Sequence, residues 1–226
     1  MIADSLSADC GLRIAELRFA AMSGNPQSAI RNSQSSRAIF IDRDGTINED
    51  LGYIASPNDL IIYPWVAEAV KLVNNAGLKA VVVTNQAGVA RGMYTEDDLR
   101  AIHDRMTSEL GLQGARIDGV YYCPHHPEYG DERYRKRCEC RKPQPGMLQA
   151  AAREHGIDLA RSFVIGDKSS DINLAASAGA RGALVLTGYG SETLAHQERW
   201  PCQPYLVADN LLEAVRLILD TVRQRR

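Results

Sequence analysis

The chain has 226 residues, of which 45% are hydrophobic and 24% are charged, close to the average for soluble globular proteins. Its 26 Lys and Arg residues against 28 Asp and Glu residues leave a net charge of -2, which excludes a broad basic surface for nucleic acid or for an anionic membrane. Apolar runs such as Ala80 to Val83 have the length of strands, far short of the roughly 18 residues of a membrane span. The N-terminus lacks the basic stretch and apolar core of a secretion signal. We therefore expect a soluble, cytoplasmic protein. We also expect a monomer, although composition does not bear on this.

Residues 1–36 differ in composition from the rest of the chain. Ser, Asn, Gln and Ala dominate, and Gly24-Asn25-Pro26 interrupts any helix. We predict a flexible N-terminal tail, or a start of translation at Met22 or later, followed by one domain over 37–226.

From residue 37 onward, short apolar runs alternate with helical patterns. The predicted elements in chain order are a strand over 38–41, a helix over 65–76, a strand over 78–83, a helix over 95–110 capped by Thr95, a strand over 119–122, a helix after Pro145, a strand over 162–165, a helix over 171–178, strands over 183–186 and 205–208, and a helix over 211–222. Strands that are apolar throughout are typical of parallel sheets covered on both faces. The pattern predicts a three-layer, Rossmann-like α/β fold with helices on both faces of a parallel sheet.

Acidic side chains follow two of these strands. Asp42 and Asp44 come directly after the first strand, and because they are two positions apart in extended backbone they point to the same side. Adjacent carboxylates repel each other unless a cation lies between them, so the pair favours Mg²⁺. Asp167 follows the fourth strand, and a third carboxylate there completes an oxygen-rich site. Asp171, four residues later, is equally well read as a residue that begins the next helix.

Hydrogen-bond donors suited to phosphate follow the second strand. Thr84, Asn85 and Gln86 offer a hydroxyl and two amides at that position. Lys142 lies in a segment with two prolines, so it belongs to a loop rather than to a solvated helix face. We expect these groups to lie beside the acidic ones, because ligands bind at the carboxyl ends of the strands in such sheets.

Taken in order, the D-x-D-G-T run, the strand-end Thr, the Lys and the G-D-x-x-x-D run resemble the haloacid dehalogenase superfamily of phosphatases. The resemblance implies that Asp42 is the nucleophile that forms an aspartyl-phosphate and that Asp44 is the general acid and base. It also implies that Thr84 and Lys142 neutralise the phosphoryl oxygens. The catalytic Mg²⁺ would be held by the Asp42 carboxylate, the Asp44 backbone carbonyl and Asp167.

Three of the five cysteines lie close together with a histidine, in C-x-H and C-x-C pairs separated by twelve residues. Three thiolates and an imidazole form a closed tetrahedral set that is typical of structural Zn²⁺. His126 is also available, but we prefer its neighbour because C-x-H mirrors C-x-C. We name residues 123–141 the cysteine loop. Its predicted zinc ligands are Cys123, His125, Cys138 and Cys140.

This loop narrows the resemblance to the D-glycero-D-manno-heptose 1,7-bisphosphate 7-phosphatase family, whose members lack a large cap domain. The matching segments are 42–45, 52–53, 83–86, 90–92, 121–127 and 166–168. Leu51 stands where that family typically has His, and Ala87 where it has Ser. Both departures concern substrate contacts and leave the catalytic residues intact. By this resemblance the substrate contacts are Asp50, Leu51, Gly52, Tyr53, Asn85, Gln86, Ala87, Arg91, Arg141 and Lys168.

The resemblance implies an Mg²⁺-dependent phosphomonoesterase that removes the 7-phosphate of the heptose bisphosphate, a step toward lipopolysaccharide. Histidinol-phosphate phosphatase is the alternative, because its domain shares the core and the cysteine loop. A non-catalytic phospho-receiver module is a third possibility, but a receiver needs neither an acid and base at Asp44 nor a metal-binding loop. Either enzyme would act on a small phosphorylated sugar or polyol.

Overall fold

The computed structural model describes residues 35–224, so residues 1–34 of the predicted tail lie outside the described part. The strands and α-helices are β1 (Ala38–Ile41), α1 (Val66–Asn75), β2 (Lys79–Asn85), α2 (Glu96–Leu112), β3 (Gly119–Cys123), α3 (Gly146–His155), β4 (Phe163–Gly166), α4 (Ser169–Ser177), β5 (Arg181–Val185), α5 (Gly190–Ala195), β6 (Leu206–Ala208) and α6 (Leu211–Gln224). Short 3₁₀ turns cover Pro57–Asp59, Leu159–Arg161 and Gln197–Arg199.

The six strands form one sheet in the order β3-β2-β1-β4-β5-β6, and every neighbouring pair is parallel. The predicted Rossmann-like parallel sheet is therefore confirmed. Successive side chains of a strand point to opposite faces, and both faces of β1 are covered. Ile39 and Ile41 pack toward α1, α2 and α6, whereas Ala38 and Phe40 pack toward α3 and α4. Burial on both faces explains why this strand is apolar at every position.

Several elements differ from their predicted bounds by about two residues. Strand β2 continues through Thr84 and Asn85, because these residues pair with Tyr122 and Cys123 of β3. Helix α4 begins at Ser169 rather than at 171, and the short helix α5 is not predicted from the sequence. Between β1 and α1 the chain forms a single 3₁₀ turn, so the described residues contain no large cap domain in that segment, as expected.

Strand β1 lies at the point where the strand order reverses, with β2 on one side and β4 on the other. Connections leave in opposite directions at such a point and open a crevice at the carboxyl ends of the strands, where ligands bind. The polar segments after β1, β2 and β4 meet in this crevice. Among residues 35–224, no helix is both long enough and apolar enough to cross a bilayer.

Candidate active site

Three buried carboxylates meet at the carboxyl ends of β1 and β4. Asp42 follows β1, Asp167 follows β4, and Asp171 lies in the first turn of α4. One oxygen of each lies within 4.8 Å of the others. We name these three residues the carboxylate cluster. The sequence left Asp171 open between a helix start and a site residue, and the structure brings it into the site.

Lys142 neutralises part of this negative charge. Its Nζ lies 2.7 Å from Asp42 Oδ1 and 2.7 Å from Asp171 Oδ1, and it donates to the backbone carbonyl of Val83 at 3.3 Å. Although burial acts to lower the pKa of Lys142, the carboxylates of Asp171 and Asp42 raise it, so the ammonium stays charged. The structure thus places this lysine against the nucleophile that the sequence predicts.

One lysine does not balance three carboxylates. Burial raises the pKa of Asp42 to about 8, with the charges of Asp171 and Asp167 adding to the effect against the opposing charge of Lys142. Burial likewise raises the pKa of Asp167 to about 6, with a further contribution from Asp171. Excess negative charge held away from water is the electrostatic condition in which a divalent cation binds.

The carboxylate of Asp167 has one satisfied oxygen and one free oxygen. Oδ2 accepts a hydrogen bond from the Tyr189 backbone N–H at 2.8 Å, whereas Oδ1 is buried without a hydrogen-bond partner among the described residues. Gly45 and Gly188 both have positive φ and lie against this carboxylate, and a Cβ atom at either position would clash with Oδ2. The orphaned oxygen and the all-oxygen donor set fit a hard divalent cation.

The Asp44 side chain lies outside the carboxylate cluster and is held by three neighbours. Arg43 donates to it from Nε at 3.0 Å and from Nη2 at 2.8 Å, Asn48 Nδ2 donates at 3.1 Å, and Gln86 Nε2 donates at 2.8 Å. Burial acts to raise the pKa of Asp44, but the charge of Arg43 and these hydrogen bonds outweigh burial and lower it. The carboxylate is therefore ionised in this arrangement.

Arg43 and His103 form a buried pair behind Asp44 that was not predicted from the sequence. The Arg43 side chain is 1% exposed, and its Nη1 donates to His103 Nε2 at 3.3 Å. Burial and the charge of Arg43 lower the pKa of His103 to about 3, so the imidazole is neutral and accepts. The available signal was a histidine within the buried stripe of α2, formed by Leu99, Ile102, Met106 and Leu110.

The two amides at the end of β2 are occupied by protein contacts. Asn85 bonds the backbone of Lys142 on both sides, accepting from its N–H at 3.0 Å and donating to its carbonyl at 3.3 Å. Gln86 is 2% exposed. Its Nε2 donates to Thr84 Oγ1 at 2.8 Å as well as to Asp44, and its Oε1 accepts from the Tyr94 hydroxyl at 2.6 Å and from Arg43 at 3.2 Å. With two donors and two lone pairs used, the Gln86 amide is enclosed rather than open to substrate, contrary to the predicted direct contact.

The residues predicted to contact substrate from the loop after β1 are mostly exposed. Leu51 is 55% and Tyr53 is 45% exposed, and Gly52 turns the chain with a φ of 87°. Asp50 pairs with Lys168 at 2.8 Å, so this loop is joined to the start of α4 across the crevice. The same ammonium lies 4.8 Å from the centre of the Tyr189 ring.

Other predicted contacts lie toward the cysteine loop. The Arg91 guanidinium lies 3.8 Å from the centre of the Tyr129 ring, and Arg141 Nη1 donates to the His125 carbonyl at 3.1 Å. Ala87 is half-buried. Since both arginines are held by residues of the cysteine loop, the order of this loop determines where their charges lie.

The cysteine loop begins where β3 ends, and it brings three thiols and one imidazole together. The Cys140 sulfur lies 3.2 Å from that of Cys123 and 3.3 Å from that of Cys138, and 3.3 Å from His125 Nδ1. Tetrahedral ligands about 2.3 Å from a metal are about 3.8 Å apart, which is somewhat longer than these separations and matches the 3.8 Å between the Cys123 sulfur and His125 Nδ1. His126 is turned elsewhere, since its Nδ1 accepts from the Glu128 N–H at 3.1 Å. We name Cys123, His125, Cys138 and Cys140 the Cys/His cluster. This cluster can hold a metal ion.

A second attachment joins the cysteine loop to the first turn of α2. Glu96 accepts hydrogen bonds from the hydroxyls of Tyr122 at 2.7 Å and Tyr134 at 2.8 Å, and from Arg133 Nη2 at 2.7 Å. Because Tyr134 and Arg133 lie in the middle of the loop, Glu96 holds a part that the metal ligands do not reach.

Comparison with known proteins shows which family the chain is similar to. Residues 139–214 match the HAD-hydrolase-like family model. A D-glycero-beta-D-manno-heptose-1,7-bisphosphate 7-phosphatase from Rhodopseudomonas palustris is 49% identical over 145 residues, which are 64% of this chain and 81% of the relative. The enzyme of the same name from Photorhabdus laumondii is 45% identical over 167 residues, 73% of this chain and 88% of the relative.

A solved structure is similar over most of the fold. The D,D-heptose 1,7-bisphosphate phosphatase from B. bronchiseptica, complexed with magnesium and phosphate, superposes with a TM-score of 0.73 at 36% identity and covers 82% of this chain and 99% of that one. These relatives are phosphatases, so the phospho-receiver interpretation is set aside. The chain belongs to the D-glycero-D-manno-heptose-1,7-bisphosphate 7-phosphatase family of haloacid dehalogenase-like phosphoric monoester hydrolases.

Proposed function

We propose that this protein removes the 7-phosphate of D-glycero-D-manno-heptose 1,7-bisphosphate by phosphoryl transfer to Asp42. The observation that carries the proposal is the pairing of buried Asp42 with Lys142, 2.7 Å apart, beside Asp167 at the crevice of the sheet. An anion can attack a phosphate dianion only where positive charge is held nearby. The identity of the sugar is inferred from the names of the relatives.

The contacts of Asp42 support a proposal for which of its two oxygens is the nucleophile. Oδ1 accepts from Lys142 Nζ and from the Arg43 backbone N–H, both at 2.7 Å, so we assign Oδ2 as the oxygen that attacks phosphorus. The bond from Oδ2 to phosphorus forms while the bond from phosphorus to the sugar oxygen breaks. Thr84 Oγ1 accepts from Gln86, which leaves its own O–H to donate to a phosphoryl oxygen.

Asp44 moves the protons of both steps. It protonates the departing sugar oxygen, and it then removes a proton from the water that attacks phosphorus and frees Asp42. The arrangement in this structure suits the second step, because the carboxylate is ionised beside Arg43. For the first step the carboxylate must leave Arg43 and carry a proton.

We assign the carboxylate cluster to Mg²⁺. The Asp42 carboxylate, Asp167 and the Asp44 backbone carbonyl would hold the ion, with Asp171 close to them. The orphaned Asp167 Oδ1 supports this assignment, as does the magnesium in the similar structure from B. bronchiseptica. When bound, Mg²⁺ neutralises negative charge on the phosphoryl group.

We assign the Cys/His cluster to structural Zn²⁺. A closed set of three thiolates and one imidazole leaves no position for a substrate, and thiolates prefer zinc over magnesium or calcium. Thiols must be reduced to bind a metal, and a reducing compartment such as the cytoplasm keeps them so. We propose that the protein acts there as a monomer on a small phosphorylated sugar.

The exposed rim of the crevice would bind the rest of the sugar. Lys168, Arg91 and Arg141 supply the positive charge for a second phosphate. Leu51 is exposed at the position where the family has His, so we propose that it meets the sugar through apolar contact. The proposed rim residues are Asp50, Leu51, Gly52, Tyr53, Ala87, Arg91, Arg141 and Lys168.

Steady-state hydrolysis tests the proposal. We expect kcat/KM for the heptose bisphosphate to exceed that for histidinol phosphate at least about tenfold. Asp42→Asn should lower kcat on both substrates by about 10³-fold or more, because the nucleophile is lost. A preference for histidinol phosphate, or an active Asp42→Asn variant, would refute the assignment. Metal analysis of the purified protein should find one zinc per chain.

A further inference from the structure

Gln86 lies between two residues of the proposed reaction and contacts both with one atom. Its Nε2 donates one proton to Asp44 Oδ2 and the other to Thr84 Oγ1, each at 2.8 Å. The side chain is 2% exposed. A buried amide that spends both donors on neighbouring side chains fixes the positions of those side chains rather than that of a ligand.

The orientation of this amide is itself determined by its surroundings. Arg43 Nη2, which can only donate, lies 3.2 Å from Oε1. The Tyr94 hydroxyl lies 2.6 Å from the same oxygen, and burial raises its pKa to about 12, so it keeps its proton. With Oε1 on that side, Nε2 is directed toward Asp44 and Thr84.

We propose that Gln86 is a positioning residue that couples the proton-transfer carboxylate Asp44 to the phosphoryl-binding hydroxyl Thr84, and that Tyr94 sets the direction of its amide. By occupying one lone pair of Thr84 Oγ1, the amide directs the Thr84 O–H away from itself, toward the crevice. By bonding Asp44 Oδ2, it limits where that carboxylate can move when it leaves Arg43 to act as the acid. This inference rests on the proposed function and adds a residue that acts through its neighbours instead of touching the sugar.

A substrate contact and a positioning role have different kinetic consequences. Loss of a contact made equally in ground state and transition state raises KM and leaves kcat unchanged, whereas misplacing Asp44 and Thr84 lowers kcat. Misplacing an acid also harms poor leaving groups more than good ones. A sugar alkoxide needs a proton as it departs, but the p-nitrophenolate of an aryl phosphate does not.

The experiment compares Gln86→Met, which keeps the volume and removes the hydrogen bonds, with the wild type. On the heptose bisphosphate we expect kcat to fall by about 10²-fold with KM within about threefold. The loss in kcat/KM should be at least about tenfold smaller on p-nitrophenyl phosphate. Equal losses on the two substrates, or a change confined to KM, would overturn the proposal.

Tyr94→Phe provides a second variant if Gln86→Met does not fold. It leaves the amide in place but removes the hydroxyl that orients it. We therefore expect the same dependence on leaving group as in Gln86→Met, with a decrease in kcat that is about one tenth as large. An unchanged kcat in Tyr94→Phe would remove Tyr94 from the proposal. Tyr121→Phe is the matched control, because it loses a 2.6 Å hydroxyl bond to Glu154 outside the site; its kcat should match the wild type.

Failure of the inference is distinguishable from failure of the proposed function. If Asp42→Asn retained activity on both substrates, the aspartyl-phosphate route would be wrong whatever Gln86→Met showed. If Asp42→Asn is inactive and Gln86→Met shows no dependence on leaving group, only the role of Gln86 is refuted.

Discussion

The carboxylate cluster and the Cys/His cluster both gather metal-binding side chains, but the chain holds them in different ways. Asp42 and Asp167 leave strands of a sheet that is buried on both faces, and their geometry follows from strand register. Beyond Cys123, where β3 ends, the cysteine loop has one isolated bridge between His126 and Arg135 and no helix or longer strand among its described residues.

The difference indicates what a metal would contribute at each place. The sheet and Lys142 already hold the carboxylates in place. A cation bound there would supply positive charge for the reaction but is not needed to form the site. The polar cysteine loop buries little apolar area, so its order depends on ligand bonds. One site is expected to lose activity without its metal, and the other to lose structure.

Removal of the metal from the cysteine loop should give the largest effect on stability. We expect Cys138→Ser to lower the free energy of unfolding by more than about 4 kcal/mol, a loss typical of metal sites. KM should rise as well, because Arg141 is the last residue of the loop and Lys142 follows it directly. Thermal unfolding, metal analysis and steady-state kinetics measure these changes.

Cys202→Ser is the control for this substitution, since Cys202 is a half-buried free cysteine outside the cluster. Its stability should stay within about 0.5 kcal/mol of the wild type. A zinc-free protein with the melting temperature and KM of the wild type would show that the two regions are not held differently.

The second prediction concerns the buried, neutral imidazole of His103 behind Asp44. The pKa of His103 is lowered from 6.5 to about 3 by burial and by Arg43. Between these values the unfolded chain binds more protons than the folded one, so His103 makes the protein less stable as pH falls through this range, by up to about 1.4 kcal/mol per pH unit. In His103→Gln this dependence is lost, and the variant should gain stability relative to the wild type from pH 6.5 to pH 4.

Denaturant unfolding at several pH values measures this gain. His196→Gln, on the exposed surface, controls for effects common to any histidine substitution. A stability difference between wild type and His103→Gln that stays constant with pH would contradict the buried neutral state of this imidazole.

The smallest effect is expected at Glu96, which holds the middle of the cysteine loop independently of any metal. Glu96→Gln weakens the charge-assisted bonds from Tyr122, Tyr134 and Arg133 and should cost about 1 kcal/mol. Amide hydrogen exchange should accelerate across residues 124–137 and remain unchanged in β1. Glu109→Gln, which loses only an exposed pair with Arg105, is the control, and equal exchange in the two variants would deny Glu96 this role.

Much of the carboxylate site was predictable because its residues follow buried strands. An apolar run that ends in Asp42 or Asp167 defines a strand end, and parallel strands bring their carboxyl ends to one edge. The gathering of the Cys/His cluster was predictable for a similar reason, since the ligand spacing is local to one loop. The specific roles of these residues remain predictions.

Other features could not be predicted from local pattern. Asp171 reads equally well as a helix-capping residue, and it does accept from the Lys168 backbone N–H at 3.2 Å; only the approach of Lys142 draws its second oxygen into the site. The sequence predicts that Gln86 donates to substrate from the end of a strand, but in the structure Tyr94 and Arg43 enclose its side chain. His103 reads as one more polar residue of α2.

The amino-acid order alone determined the parallel sheet, the edge at which the polar residues gather and the loop that carries the cysteines, because periodicity and spacing are properties of neighbours along the chain. Only the packing of α2 and the segment after β2 against β1 decided which way Asp44, Gln86 and His103 face. Those directions depend on donors and charges that lie tens of residues apart in sequence and meet only when the chain is folded.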